Sequence, residues 1–348
     1  MILAVTIAAV LAGARSFAAI GEWVVDQDED TVTMLGVDGS ARPSESAIRR
    51  LLTRLDGDVL DSMIGAWMWT RTTVVDDRRV IALDGKTVRG ARNRRHAQDA
   101  APHLVAALDH TAGTVLGQVA VAAKSNEIPA VRTLLGSLDL TDVVVTVDAM
   151  HTQTDTAQAI TAAGGDYVFT VKANQPRLHA QLKRLPWAQV PAHSTVSSGH
   201  GRRARRTIKV LTAPAWVDFP GAAQVAQIRR TVTRAGRKSV EVTYAITSAD
   251  HTDAPAPTLA TWVQGHWGIE NQLHWVRDVS FDEDRSQVRT GNAPQVMATI
   301  RNPIRRSSRR TSATFGTRVT STNFRRLNGH RPTCEKIEAK PRKVCRDQ

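Results

Sequence analysis

The sequence predicts an α/β protein built on a mixed β-sheet with helices packed on its faces. The first observation is a change of hydrophobic period near residue 78, from helical spacing to short β-type runs. The second is the order of the elements that follow, which is β-β-β-α-β-α-β. Three consecutive strands followed by alternating helices and strands favour a sheet with both antiparallel and parallel pairs.

The first element is an apolar segment, MILAVTIAAVLAGARSFAAI, at residues 1–20. A signal peptide would have a Lys or Arg before its apolar run, and none is present here. The run is also shorter than the roughly 20 residues that span a bilayer. We therefore predict a buried helix and no membrane segment. An export signal and a helix lying at a membrane surface are the alternatives.

Two more helices are predicted before residue 72. SESAIRRLLTRL follows Pro43 and carries an apolar stripe formed by Ile48, Leu51, Leu52 and Leu55. Asp56-Gly57 ends that helix, and DVLDSMIGAWMW begins the next. A helical hairpin that packs on its neighbours is favoured over a DNA-reading helix–turn–helix, because the turn has no specific signature.

The strands of the predicted sheet end at acidic residues. RRVIALD ends at Asp84, and PHLVAALD and TVLGQVAVA follow it. Asn126 is positioned to cap a helix through EIPAVRTLLGSL, after which DVVVTVD ends at Asp148. A helix over about 153–163 stops at Gly164-Gly165, and DYVFTVK is the fifth strand.

Residues 178–257 interrupt this pattern and are predicted to be a mostly β insertion. They contain the basic run GHGRRARR, the strand TIKVL and a hairpin, QVAQIRRTVT–RAGR–KSVEVTYAIT. A helix from about 258 to 276 follows Pro255 and Pro257, with Trp262, Ile269, Leu273 and Val276 as its core stripe.

The net charge of +13 is concentrated at the end of the chain. Residues 305–348 hold 13 Lys and Arg against 3 Asp and Glu, which leaves 33 basic and 30 acidic residues for 1–304. Both cysteines, Cys334 and Cys345, also lie there. A disulfide framework and a cysteine zinc site are thereby excluded for residues 1–304, which suits a reducing cytoplasm. The tail is expected to be disordered.

Three carboxylates are the candidate catalytic residues. Asp84 and Asp148 stand at the ends of apolar strands, where ligands of α/β sheets collect, although either could be a turn or capping aspartate. Glu270 lies four residues from both His266 and His274, so the three can share a helix face. Such carboxylates can hold two divalent cations for in-line attack at a phosphodiester. A zinc cluster and a solvated polar face remain alternatives for Glu270.

Basic and amide side chains near these carboxylates are candidate DNA contacts. Lys86 and Arg89 follow Asp84, while Lys172 and Asn174 follow the fifth strand. The run from Arg202 through Arg203 to Arg206 could track a DNA backbone, although its context also reads as a solvated loop. Asp282, Glu283 and Asp284 are alternative carboxylates for the site, but their adjacency to Arg285 and Arg289 favours structural ion pairs.

Several blocks together resemble a known family. RPSESAIRRLLTRLD, IALDGKTVRGAR, VVTVDAMHTQ, DYVFTVKANQP and HWGIENQLHWVRDVSFDED occur in the order seen in the H-repeat-associated, ISAs-type family of DDE insertion-sequence transposases. The resemblance implies a ribonuclease-H-like catalytic domain over 76–304, with the β-rich insertion at 178–257, and a helical N-terminal domain over 1–75. It makes Asp84, Asp148 and Glu270 the catalytic triad.

The resemblance also implies partners and a location. Mg²⁺ or Mn²⁺ would be the cofactor, insertion-sequence ends and target DNA the partners, and a homodimer the synaptic form. Independently of the resemblance, the spacing of His266 and His274 around Glu270 suggests that the two imidazoles could contact DNA phosphates next to a metal-binding Glu270. The protein would act in the bacterial cytoplasm, associated with the nucleoid.

The chain departs from the family pattern at two places. Met1 falls inside the first apolar helix of the family, and the resemblance stops after RNP at 301–303, as it would in a frameshifted or decayed copy. A non-catalytic DNA-binding remnant of a transposase is therefore one alternative. A metal-dependent structure-specific nuclease, which would cut DNA without joining it, is another.

Deleting residues 306–348 should leave the thermal midpoint of the remaining protein nearly unchanged. The segment is strongly cationic and its apolar residues are sparse, so we expect it to bind DNA through counterion release and not to pack into the core. The deletion should therefore flatten the slope of log DNA affinity against log salt concentration. A large fall in the midpoint would instead show that the tail packs.

Overall fold

A single nine-stranded sheet forms the centre of the protein. The computed structural model describes residues 1–38, 41–72, 74, 78–92, 101–122, 125–199 and 201–303; the predicted tail at 305–348 lies outside these ranges. The strands are β1 (Arg79–Thr87), β2 (His103–Asp109), β3 (Val115–Ala120), β4 (Val143–Val147), β5 (Asp166–Val171), β6 (His193–Gly199), β7 (Arg202–Thr212), β8 (Gln224–Arg234) and β9 (Arg237–Thr247). Their spatial order is β3-β2-β1-β4-β5-β9-β8-β7-β6.

The described part of the chain contains ten α-helices. They are α1 (Ile2–Leu11), α2 (Phe17–Asp26), α3 (Glu29–Met34), α4 (Glu45–Arg54), α5 (Gly57–Arg71), α6 (Glu127–Leu135), α7 (Thr154–Ala162), α8 (Pro176–Lys183), α9 (Ala256–Gly265) and α10 (Ala293–Arg301). The predicted order β-β-β-α-β-α-β is confirmed for β1 through β5. Strands β1, β4 and β5 are parallel and the other pairs are antiparallel, so the sheet is mixed as expected.

The insertion is an extension of the central sheet. Its last strand, β9, pairs antiparallel with β5, and β8, β7 and β6 follow outward as hairpins. The predicted hairpin is confirmed, with its turn at Ala235 and Gly236, both at positive φ. The solvated-loop alternative for the basic run is wrong, because Arg202 to Arg206 lie within β7 and pair with β6 and β8.

Side-chain alternation divides the sheet into two packed faces. Ile81, Leu83, Val145 and Val147 point to one face and join α6, α7 and α8 in the largest core cluster. The intervening residues point to the other face. There, Val80 and Val144 pack with Leu259 of α9, and Ala82 packs with Ile269 and Leu273.

The N-terminal helices share a core with the last described helix. Phe17, Ile20, Ile48 and Leu52 from α2 and α4 are buried together with Val296, Met297 and Ile300 of α10, and Ala9 and Val10 of α1 join them. Helix α5 packs against β3 and α10. The first apolar segment is helical and contributes buried residues to this core, as predicted, but it is divided between two helices, α1 and the start of α2. Within the described ranges, no helix combines the length and apolar composition that crossing a bilayer requires.

A buried network of ion pairs connects α10 with the segment that contains Arg277 and Glu283. Glu283 has no solvent exposure and lies between Arg277, at 2.7 Å, and Arg301, at 2.9 Å. Both arginines are also buried. Burial opposes ionisation of Glu283, but the two guanidinium groups outweigh it and hold its pKa below the ordinary value. The prediction of ion pairs in the 282–284 segment is confirmed, although Glu283 pairs with Arg277 and Arg301 instead of Arg285 and Arg289.

The Glu283→Ala substitution should lower the free energy of unfolding by about 3–5 kcal/mol, because it leaves two buried guanidinium groups without a counter-charge. Denaturant unfolding at neutral pH measures this loss. Glu45→Ala is the matched control, since it removes an exposed ion pair with Arg49 on α4. The control should cost at most about 1 kcal/mol. Equal losses in the two variants would show that the buried network is not a major source of stability.

Candidate active site

The register of β1 and β4 brings two predicted residues to one place. The strands are parallel, with Ala82 opposite Thr146 and Leu83 opposite Val147. Asp84 is the next residue of β1, and Asp148 follows directly after β4. By alternation both lie on the face of Ala82 and Thr146, opposite the main core. The two aspartates are therefore neighbours across adjacent strands.

A widened helix covers this face. The sequence predicted one helix over 258–276, but α9 ends at Gly265 and the chain continues in two π-helical segments, Ile269–His274 and Val276–Ser280. Ile269 and Leu273 pack against the sheet, which leaves Glu270 to approach Asp84. Interruptions of this kind inside helices are frequent at functional sites.

Asp84, Glu270 and His274 form a compact cluster. Nδ1 of His274 lies 3.3 Å from a Glu270 oxygen and 3.6 Å from an Asp84 oxygen. One ligand atom from each of the three residues lies within 4.8 Å of the other two. His274 is buried, whereas Glu270 is about half exposed. The cluster therefore has a buried imidazole behind two carboxylates that reach toward solvent.

The two carboxylates of this cluster differ in their ionisation. Burial raises the pKa of Asp84 to about 6, and the nearby charges of Glu270 and Glu127 add to that effect. Hydrogen bonding from His274 lowers the pKa of Glu270 despite its partial burial, and a hydrogen bond with Asp84 contributes. The pair is therefore suited to share one proton or to accept a cation in its place.

Asp148 has a different environment. Its carboxylate lies 3.1 Å from the Nζ atom of Lys172. Burial alone would raise the pKa of Asp148, but hydrogen bonds from the Ala149 amide and from Lys172 hold it below the ordinary value. Asn174 donates to the Ala149 carbonyl at 2.7 Å and so fixes the turn after β4. Lys172 and Asn174, both predicted DNA contacts, thus contact Asp148 and its turn.

His266 lies apart from the cluster of Glu270. Its Nδ1 atom is 3.1 Å from the Thr146 hydroxyl, which is also 3.0 Å from Nε2 of His110. Burial lowers the pKa of His266 to about 4, so its ring is neutral at neutral pH. Of the two histidines that flank Glu270 in sequence, His274 is the one that contacts it within the described structure. The predicted common face is thus confirmed for His274 only.

One part of the site was missed from the sequence. Glu127, at the start of α6, lies 2.6 Å from Nε2 of His103 and 3.0 Å from Nε2 of His151. Hydrogen bonds with these histidines lower the pKa of Glu127 to about 2. A side chain at Gly85 would collide with Glu127 and His103. The only local signal was the acidic position next to the capping Asn126, which is ordinary for a helix start.

The Glu127 group also borders the first cluster. Asp84, Glu127 and His151 form a second set whose ligand atoms lie within 4.8 Å of one another. Asp84 is common to both sets. Both oxygens of Glu127 are already engaged by histidines, so we interpret this group as a support that holds the turn after Asp148 against β1 and β2.

The predicted basic contacts divide into paired and exposed residues. Lys86 is mostly buried and pairs with Asp278 at 2.7 Å. Arg89 is 77% exposed, with Asp284 3.7 Å away. Arg202 and Arg203 are exposed at the start of β7. Lys86 is therefore held in a fixed position beside the site, while the three arginines are available to solvent.

A cavity of about 320 Å³ adjoins Asp148. It lies between α9 and the inner face of β6 to β9, and its lining includes Lys172, His266, Arg206 and Arg230. The last two arginines are opposite each other across β7 and β8. Like charges opposed on neighbouring strands repel, and the neighbouring positive charge contributes, after burial, to a lowered pKa of Arg206. Glu241 also lines the groove and lies 3.8 Å from Arg230, so Arg206 and Lys172 are the basic side chains that face the groove beside this ion pair.

The sequence matches described families over most of its length. The family described as "Transposase DDE domain" matches residues 76–302, and the one described as "DDE_Tnp_1-associated" matches residues 1–68. The chain is 32% identical to "Putative transposase YncI" of Escherichia coli O157:H7, over 86% of this chain and 79% of that protein. It is 33% identical to "H repeat-associated putative transposase YhhI" of Escherichia coli K12, over 86% of this chain and 82% of that protein.

The Asp84→Asn substitution should stabilise the protein at pH above 6. Because burial raises the pKa of Asp84 from 3.8 to about 6, this residue contributes stability below pH 4 that is lost as the pH rises through 6. The variant should exceed the wild type by roughly 1–3 kcal/mol at pH 8, and the difference should vanish below about pH 4. Denaturant unfolding across this range measures it, with the exposed Asp155→Asn as control. A wild type that is more stable than Asp84→Asn at pH 8 would contradict the inference that burial raises the pKa of Asp84 and destabilises its ionised form.

Proposed function

The chain belongs to the H-repeat-associated group of DDE transposases, and from this premise we propose that it cleaves and joins DNA at the ends of an insertion sequence. The reaction would be a metal-dependent attack of water or a DNA 3′-hydroxyl on a phosphodiester. We further propose that Asp84, Asp148 and Glu270 are its catalytic carboxylates and that the catalytic part has a ribonuclease-H-like fold.

The observation that carries this proposal is the meeting of Asp84 and Glu270 beside Asp148. These residues are far apart in sequence and lie on three different elements, yet they occupy one face of the sheet. Burial, with a smaller contribution from the charge of Glu270, raises the pKa of Asp84 to about 6, so keeping this carboxylate ionised at neutral pH costs stability. A role in binding cations would explain why the protein retains a carboxylate that lowers its stability.

The donor set fits a divalent cation. Asp84 and Glu270 offer carboxylate oxygens, which Mg²⁺ and Mn²⁺ prefer, and their ligand atoms are already close enough to share an ion. Asp148 would contribute from the neighbouring strand, with Lys172 yielding its ion pair to the incoming cation. Bound cations of this kind activate an attacking oxygen and neutralise charge on the phosphate.

The remaining residues would position DNA around this centre. Lys172, which pairs with Asp148, would contact a phosphate next to the scissile bond, and Arg206 and Arg230 line the adjoining groove. Arg89, Arg202 and Arg203 would contact the backbone farther away, by charge and without reading sequence. His266, with its neutral ring in the groove wall, would contact the strand near Asp148.

Two copies of the chain would be needed to hold the two ends of an element together, so we propose a homodimer in the synaptic complex. The helical residues 1–75 would accompany the catalytic residues 76–304, and the tail from 305 would add affinity for DNA of any sequence. The protein would act on the bacterial nucleoid in the cytoplasm.

Cleavage of element-end DNA should require Mg²⁺ or Mn²⁺ and fall more than about 100-fold in Asp148→Asn. The substitution keeps the shape of the side chain and removes its charge, and even residues that only orient metal ligands cost 10–100-fold when changed. A gel assay with labelled element ends measures cleavage. Asp155→Asn, on the exposed start of α7, should retain wild-type activity.

The same assay separates the alternatives. Joining of a cut end to a second DNA distinguishes a transposase from a nuclease, which would release ends and stop. Binding without any cleavage would identify a non-catalytic remnant. Cleavage that persists in excess chelator, or in Asp148→Asn, would rule out the proposed chemistry.

A further inference from the structure

We propose that Nδ1 of His274 is a third ligand, beside the carboxylates of Asp84 and Glu270, of a cation site that favours Mn²⁺ over Mg²⁺. The inference rests on the proposed function, because it concerns the same site. It adds a nitrogen ligand that a site of carboxylates alone does not have, and it therefore predicts which metal the protein selects.

The three donor atoms lie close enough together to bind one ion. Nδ1 of His274 is 3.3 Å from Glu270 and 3.6 Å from Asp84. Ligand atoms about 2.1 Å from one ion lie about 3.0 Å apart in octahedral and about 3.4 Å apart in tetrahedral geometry. Both observed distances are thus wider than the spacing of adjacent ligands in a closed octahedral site. A small inward movement of the half-exposed Glu270 would close it.

The His274 ring is buried and faces the two carboxylates. The imidazole is only 7% exposed, and the oxygens of Asp84 and Glu270 are the polar neighbours described for its Nδ1 atom. Its other nitrogen, Nε2, is buried and has no hydrogen-bond partner within the described part of the chain. The ring is therefore oriented by the two carboxylates. A buried imidazole whose contacts are limited to two carboxylates, with its second nitrogen unpaired within the described residues, requires a functional explanation.

His266 supplies a contrast on the same segment. The Thr146 hydroxyl has one hydrogen, and all three of its contacts are satisfied only if it donates to the Ile81 carbonyl. Nδ1 of His266 and Nε2 of His110 must then both donate to that hydroxyl. Nδ1 of His266 is thus committed to the neutral Thr146 hydroxyl, whereas Nδ1 of His274 faces oxygens of Asp84 and Glu270 that are themselves potential metal ligands. A cation bound at Nδ1 of His274 would take the place of the proton that the ring donates to Glu270, and the ring would then carry its proton on Nε2.

The nitrogen ligand determines the metal preference. Mg²⁺ binds oxygen ligands almost exclusively and retains several waters, whereas imidazole is a ligand for softer divalent ions. Among the two ions expected of this chemistry, Mn²⁺ accepts a histidine more readily. The site should therefore bind Mn²⁺ more tightly than Mg²⁺, and the difference should depend on His274.

Electron paramagnetic resonance of Mn²⁺ added to the full-length protein, without DNA, tests this directly. Pulsed spectra of the wild type should show coupling of bound Mn²⁺ to one ¹⁴N nucleus, which becomes a ¹⁵N coupling in protein grown with ¹⁵N-histidine. In His274→Gln the coupling should disappear and Mn²⁺ affinity should fall at least about 10-fold, while competition by Mg²⁺ changes little. His251→Gln, on an exposed loop, is the matched control and should keep both properties.

The outcomes are distinct. Absence of bound Mn²⁺, or bound Mn²⁺ without nitrogen coupling in the wild type, overturns the proposal, and this measurement does not depend on whether His274→Gln folds. Nitrogen coupling that persists in folded His274→Gln also overturns it. Nitrogen-coupled Mn²⁺ in a protein that never cleaves element ends would support the site while refuting the proposed function.

Discussion

The site depends on the parallel pairing of β1 with β4. These strands are buried on both faces, and the pairing of Leu83 with Val147 fixes which residues face the main core. Because side chains alternate, a slip of one residue in either strand would turn its aspartate into the opposite layer. The hydrophobic packing of Ile81, Leu83, Val145 and Val147 thus holds Asp84 and Asp148 side by side. The geometry of the site is a consequence of core packing as well as of its own contacts.

The segment that covers the two aspartates is π-helical instead of α-helical, and it supplies the remaining residues of the site. Ile269 and Leu273 bury themselves against Ala82, and the wider turns between them leave Glu270 and His274 at the carboxylate of Asp84. The electrostatic cost in stability is concentrated here, because the carboxylates of Asp84 and Glu270 and the buried ring of His274 share a small volume. The buried salt bridges of Glu283, which lies a few residues beyond the π-helical segments, hold the end of this covering segment to α10. The covering segment therefore contributes Glu270 and His274 to the site and, a few residues later, the buried ion pairs of Glu283.

The sequence predicted those parts of the fold that depend on local pattern. Strands β1 to β5, the helices between them and the hairpin of β8 and β9 follow from periodicity and turn residues, and they were found where expected. The attachment of β9 to β5 could not be predicted, because pairing between distant strands leaves no local trace. Glu127, His103 and His151 were missed for the same reason, as each is unremarkable alone. Glu270 was singled out by its two histidines, but only tertiary packing decides that His274 approaches it while His266 turns to Thr146.

The core shared by the first helices and α10 has a consequence for how the chain folds during synthesis. Arg301 donates to the Arg15 carbonyl across 286 residues, and Val296, Met297 and Ile300 cover the apolar faces of α1, α2 and α4. At ribosomal rates of about 5–20 residues per second, α10 is synthesised roughly 15–60 s after those helices. Through that interval their apolar faces are open to chaperones and proteases. A nascent chain released before α10 would lack the interior of its helical layer, so the layer can close only around a nearly finished polypeptide.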